Sequence, residues 1–132
     1  MSTSLPVPGP RRALAGLDAR ALARGLGWFS LALGAVELLA PGAIKARVGT
    51  PGSELLLQAY GLREIGAGAA ILLSDRPATM VWGRVAGDVF DIATLVPALH
   101  PDNPQRAGAV GAMAFVLGAT ALDLAVALQG DA

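Results

Sequence analysis

Proline, glycine and charge divide this chain into four apolar segments of about 20 residues each, and that division constrains the fold more than any other feature of the sequence. The first segment runs through Gly25–Ala40 and is stopped by Pro41-Gly42. The second covers Glu54–Ser74, between Thr50-Pro51-Gly52-Ser53 and Asp75-Arg76-Pro77. A third runs from about Ala78 to Leu99, ending at His100-Pro101-Asp102-Asn103-Pro104, and the fourth runs from about Arg106 to Gln129. At 1.5 Å of rise per residue, each is long enough to cross a ~30 Å hydrocarbon layer as a helix. Strands are disfavoured, because alanine, leucine and glycine dominate and period-two alternation is missing. Ser53 before Glu54, and Asp75 before Pro77, read as helix starts.

Composition decides between solvents. Of 132 residues, 54% are hydrophobic and 15% charged, against about 25% charged in an average soluble protein. Four 20-residue helices of a water-soluble bundle need more polar side chain than this, and large apolar residues fall on every face. The expected fold is therefore an all-α bundle of four transmembrane helices with small-residue packing. Residues 1–19 form a flexible, amphipathic lead-in, and residues 20–132 form the membrane domain, with spans at about 22–40, 54–74, 78–99 and 106–129. No clear A-x-A site follows the first apolar run, so it reads as a retained anchor, and Arg11-Arg12 is a weak twin-arginine match. Arg11, Arg12, Arg20, Arg24 and Arg76 outweigh Lys45, Arg47 and Arg106 across the bilayer, which places both termini in the cytoplasm. Zero net charge removes the attraction that a nucleic-acid partner requires. With no cysteine and the single His100, no metal site or cofactor is evident.

In lipid, helices associate through close packing of small residues and through polar contacts. Ala23, Gly27, Ser30, Gly34 and Glu37 recur at alternating spacings of four and three along one face of the first span. Ala107, Gly111, Ala114, Gly118, Ala121 and Ala125 do the same on the fourth. Such ridges either close one bundle or, for the fourth helix, form a homodimer seam. A larger membrane complex is a further possible setting.

Charged residues inside the spans must face the bundle interior and find partners. Depth along the helices matches Arg63 with Asp91 and Arg84 with Asp123, the latter two as structural ion pairs, and puts Glu64 and Asp88 near the midplane. Arg84, Asp88 and Asp91 share one stripe of the third helix, and Glu37 lies in the outer half of the first. Two arginines face five carboxylates, so at least one carboxylate should hold a proton, with Glu64 and Asp88 the choices. Three readings stay open. The cluster is an ion-paired network that fixes helix register in a purely structural subunit, or it binds a lipophilic small molecule through Arg63, Glu64, Asp88, Asp91, Glu37 and Tyr60, or it is the acid/base site of an intramembrane isomerase or cyclase using Glu64 or Asp88. Trp82 is expected at the interface, and Trp28 is expected packed against a neighbouring helix. Gly61-Leu-Arg-Glu-Ile-Gly66-Ala-Gly68 lacks the Lys-Ser/Thr and the preceding strand of a phosphate loop.

The runs LGWFSLALGAVELLAPG, GLREIGAGAAIL and WGRVAGDVFDIATL together resemble small bacterial four-helix membrane proteins that are broadly DoxX-like, some of which precede a polyketide cyclase/dehydrase-like domain. The resemblance covers residues 24 to 95, and its motif residues are Glu37, Arg63, Glu64, Arg84, Asp88 and Asp91. It implies the four-helix fold and a location in the bacterial cytoplasmic (inner) membrane, without a settled activity.

Overall fold

A helix begins at Ala19 because Asp18, still in extended conformation, accepts a hydrogen bond from the Arg20 N–H at 3.1 Å and caps the first turn. The computed structural model describes residues 18–50 and 53–131, and every regular element in them is helical. Arg11, Arg12 and all but the last two residues of the expected lead-in lie outside the described residues. The elements are α1 (Ala19–Leu39), α2 (Pro41–Val48), α3 (Glu54–Leu73), α4 (Pro77–Met80), α5 (Trp82–Leu95), a 3-10 turn (Pro97–Leu99) and α6 (Arg106–Gln129). Helices α3 and α6 coincide with the expected second and fourth spans. Two helices, α1 and α6, are long and apolar enough to cross a membrane by length and composition.

The expected third span is not one helix. Pro77 starts a single turn, the helix is interrupted at Val81, and α5 ends at Leu95 before the 3-10 turn. Its 14 residues reach about 21 Å alone. Helix α2 occupies what reads as a loop after Pro41-Gly42. Pro41 stands at its first turn, Lys45 and Arg47 lie in its last, and Gly49 closes it at φ 67°, where only glycine is unstrained. Asn103 pins this end from the opposite loop, donating from Nδ2 to Val48 O at 3.0 Å and Ala98 O at 2.7 Å.

The glycine ridge of α1 does what its spacing predicts. Ala23, Gly27, Ser30 and Gly34 are all buried, and α3 packs antiparallel along them. The approach is backbone to backbone: a Cβ added at Gly34 would stand 2.6 Å from Gly61 O, and one at Gly68 2.6 Å from Gly27 O. The α6 ridge behaves differently. Ala107, Gly111, Ala114, Gly118 and Ala121 are exposed, with nothing within 4 Å of a Cβ at Gly111 or Gly118. Helix α6 instead turns Ala109, Asp123, Val126 and Ala127 inward.

Polarity is arranged inside out relative to a water-soluble globule. Glu64, Arg84, Asp88 and Asp123 are buried, the last fully. Leu62, Val89, Phe90, Phe115, Leu117 and Leu128 are exposed, and so is Trp28, which corrects the expectation that it packs against a neighbour. One end of the bundle is closed by an apolar core of Ala23, Leu26, Ile71, Ala78, Val81 and Val126. Asp131 clasps that end: its carboxylate accepts from the Ala78 N–H at 3.0 Å and from the Thr79 N–H and hydroxyl, both at 2.7 Å, with Arg20 Nε 3.6 Å away.

Candidate functional site

Above that core, the middle layer of the bundle holds the charges. Arg84 projects from α5 between three other helices: its Nε donates to Asp123 Oδ1 of α6 at 2.9 Å, and its Nη1 donates to Glu64 Oε1 of α3 at 3.0 Å and to Ser30 Oγ of α1. Ser30 in turn donates to Glu64 Oε1, so one small hydroxyl on the glycine ridge links the ion pair to the α1–α3 seam. Arg63 Nη2 reaches Asp91 Oδ1 of α5 at 3.0 Å and Glu64 Oε2 at 3.2 Å. Its guanidinium lies against Gly87, where an added Cβ would come within 3.0 Å of Nε. Both pairs expected from depth, Arg63 with Asp91 and Arg84 with Asp123, are therefore present. Aromatic faces back the two cations, Tyr60 under Arg63 at 4.8 Å and Phe29 under Arg84 at 5.4 Å.

Glu64 has both oxygens engaged: each accepts from a guanidinium, and one also accepts from Ser30. Asp88 makes no ion pair; its carboxyl lies beside that of Asp123, and Oδ2 of each is buried with no hydrogen-bond partner.

A cavity of about 220 Å³ lies beyond the charged layer, toward the opposite end of the bundle from the apolar core. Its wall is mainly apolar, Leu33, Val36, Ile44, Leu57 and Phe115 among the residues that form it, with contributions from α1, α2, α3, α5 and α6. Glu37, Tyr60 and Asp91 line it; Arg63, Glu64 and Asp88 do not. The six residues read as one binding set thus divide between two places, Glu37, Tyr60 and Asp91 at the cavity and Arg63, Glu64 and Asp88 in the layer between helices. The polar groups at the cavity are incompletely used: among the described residues Glu37 Oε1 and Thr50 Oγ1 are buried without a partner, and Thr50 as a whole is only 7% exposed. Thr94 uses its hydroxyl proton on Phe90 O at 2.9 Å, so the Tyr60 hydroxyl donates to Thr94 Oγ1 at 2.6 Å and keeps its own lone pairs as acceptors.

Sequence reasoning missed Ser30 as a polar ligand, Thr50, Thr94 and the whole contribution of α2. The helix signals at Pro41 and Gly49 were available for α2; nothing in the spacing marks Thr50. Among the described residues no cluster of His, Cys, Asp or Glu has the form of a metal site. The chain matches no protein-family model, and no match is found among curated proteins or solved structures.

Proposed function

We propose that the chain is an integral membrane protein of four spans, of the broad DoxX-like type and with both termini cytoplasmic, whose half-open cavity holds a lipophilic small molecule. The inside-out polarity supports the membrane setting. Lipid accepts the exposed leucines and phenylalanines, while Arg63 and Arg84 pair with Glu64, Asp91 and Asp123 away from it. In this setting α4, α5 and the 3-10 turn together form the third span, broken where the bundle interior can absorb the irregular backbone. The exposed α6 ridge is then the seam for a second copy, since small residues facing lipid leave a groove that another helix fills.

One observation carries the binding function: a cavity of about 220 Å³ with an apolar wall and buried polar atoms left without partners. Such atoms each cost about 1–3 kcal/mol when unsatisfied, a cost that an occupant making those hydrogen bonds removes. The buried network around Glu64 and Arg84 supplies register and rigidity to the cavity. An acid/base enzyme working through Glu64 or Asp88 finds less support, since neither side chain borders the cavity.

The test is native mass spectrometry of the protein extracted with its surrounding lipid, for the wild type and for Ala112→Phe, which grows a ring into the cavity from α6. A small molecule retained by the wild type and absent from the variant is the expected result. An empty wild type, or equal retention by both, refutes the binding function.

A further inference from the structure

The polar lining of the cavity is one-sided. Glu37 and Asp91 present carboxylates, the Tyr60 oxygen is free only to accept, and Thr50 Oγ1 has no partner. Among the described residues, no lysine or arginine side chain lines the cavity. The adjacent guanidinium, Arg63, spends its Nη2 on Asp91 and Glu64, and its Nη1, buried without a partner among the described residues, belongs to a residue that does not line the cavity. In the charged layer and the cavity together, two arginines face Glu37, Glu64, Asp88, Asp91 and Asp123. The site is thus rich in acceptors and short of positive charge, and of its three buried carboxylate oxygens without a partner among the described residues, on Glu37, Asp88 and Asp123, the one on Glu37 belongs to a residue bordering the empty space.

We infer that the cavity takes a lipophilic ammonium ion, its apolar body against Leu33, Val36, Ile44 and Phe115 and its N–H donors on Glu37, with Tyr60 and Thr50 as secondary acceptors. The inference rests on the binding function proposed above and adds the chemical class. Three features favour this ligand over a neutral one of equal size. An ammonium donates to acceptors that otherwise go unused, its charge offsets the carboxylate surplus, and the aromatic ring of Tyr60 borders the same space. Volume sets the scale. A cavity of 150 Å³ accommodates benzene, so about 220 Å³ suits roughly nine non-hydrogen atoms. The 2-phenylethylammonium ion has that size, and propylbenzene has the same shape with a methyl in place of the ammonium.

The experiment compares dissociation constants for these two probes at pH 7 in bicelles, for the full chain and for Glu37→Gln and Thr50→Val, with helicity checked by circular dichroism. Each probe partitions into lipid identically whichever variant is present, so the change in the ratio of the two constants between variants reports the site alone. The wild type should prefer the ammonium, and Glu37→Gln should reduce that preference roughly ten- to a hundredfold, the scale of one charge-assisted hydrogen bond. Thr50→Val should reduce it by a smaller factor, which keeps the test available if Glu37→Gln does not fold. Saturable binding of propylbenzene with no preference for the ammonium, or a ratio unmoved in both variants, overturns the ammonium inference and leaves the cavity's binding role standing. Failure of both probes to bind overturns the binding function itself.

Discussion

The α1–α3 seam makes a prediction in which two alanine substitutions on one helix move stability in opposite directions. At Gly68 a new Cβ stands 2.6 Å from Gly27 O and 3.0 Å from Ser30 Cβ. Carbon normally approaches such atoms to about 3.5 Å, so the helices must part by close to 0.9 Å. Backbone atoms cannot rotate away as a side-chain tip can, and overpacking of this kind costs about 1–3 kcal/mol. The displacement also draws Ser30 from Glu64 and Arg84, adding to the loss. At Gly66, two residues away and on the outer face of the same helix, nothing lies within 4 Å of the added Cβ. There alanine gains its helix propensity of about 0.8–1.0 kcal/mol without steric cost. Both variants share the propensity gain, so the difference between them isolates the steric term at roughly 1–3 kcal/mol. Reversible unfolding in mixed micelles, followed by circular dichroism, measures it. If Gly68→Ala and Gly66→Ala agree within about 0.5 kcal/mol, the close approach of α1 and α3 is wrong.

The remaining predictions follow from other layers of the bundle. Asp123→Ala leaves the buried Arg84 guanidinium without its Nε acceptor and should cost about 3–5 kcal/mol in the same unfolding assay. Asp131→Asn should destabilise the end of the bundle by about 0.5–2 kcal/mol, the range for a lost helix cap. Burial acts to raise the Asp131 carboxyl, but hydrogen bonds from Thr79 and Ala78, with the nearby Arg20, outweigh it and hold the group below the usual range. Its contribution is therefore complete above the ordinary carboxylate range and disappears as pH falls through the lowered value, so the wild type and Asp131→Asn should converge in stability in acid. Gly118→Leu fills the exposed α6 ridge and should shift a dimer to a monomer in analytical ultracentrifugation in detergent, with helicity unchanged.

What could be read from the sequence was the part set by periodicity. Alternating spacings of four and three among small residues identified the face of α1 that meets α3, because a helix brings only those positions into line. Depth counting found Arg63 with Asp91 and Arg84 with Asp123 because buried charges have few places to go. The same periodicity was silent about partners: the α6 ridge has equally good spacing and stays uncovered in one copy, since burial depends on what the other helices present. The cavity was not legible because five elements line it, and one of them, α2, lies in a stretch where proline and glycine signal both a helix boundary and a loop. Glu64 looked suited to a proton by depth alone. In the fold Ser30 and two guanidinium groups converge on it, and no spacing rule places three helices' side chains on one carboxylate. The break at Val81 carries neither proline nor glycine at the break itself, so nothing local announced it.

The central claim is that the exposed apolar surface faces lipid while the charges lie within, and the absence of native cysteine allows a direct test. Single cysteines placed at Leu62, Phe90 and Phe115, all exposed, would be compared with one at Asp102, in the loop before α6. In intact membranes opened to reagent on both sides, a charged, membrane-impermeant maleimide should label the Asp102 position and leave the other three unlabelled until detergent is added. Labelling of Leu62, Phe90 and Phe115 positions at the rate of Asp102 would place those faces in water and contradict the account.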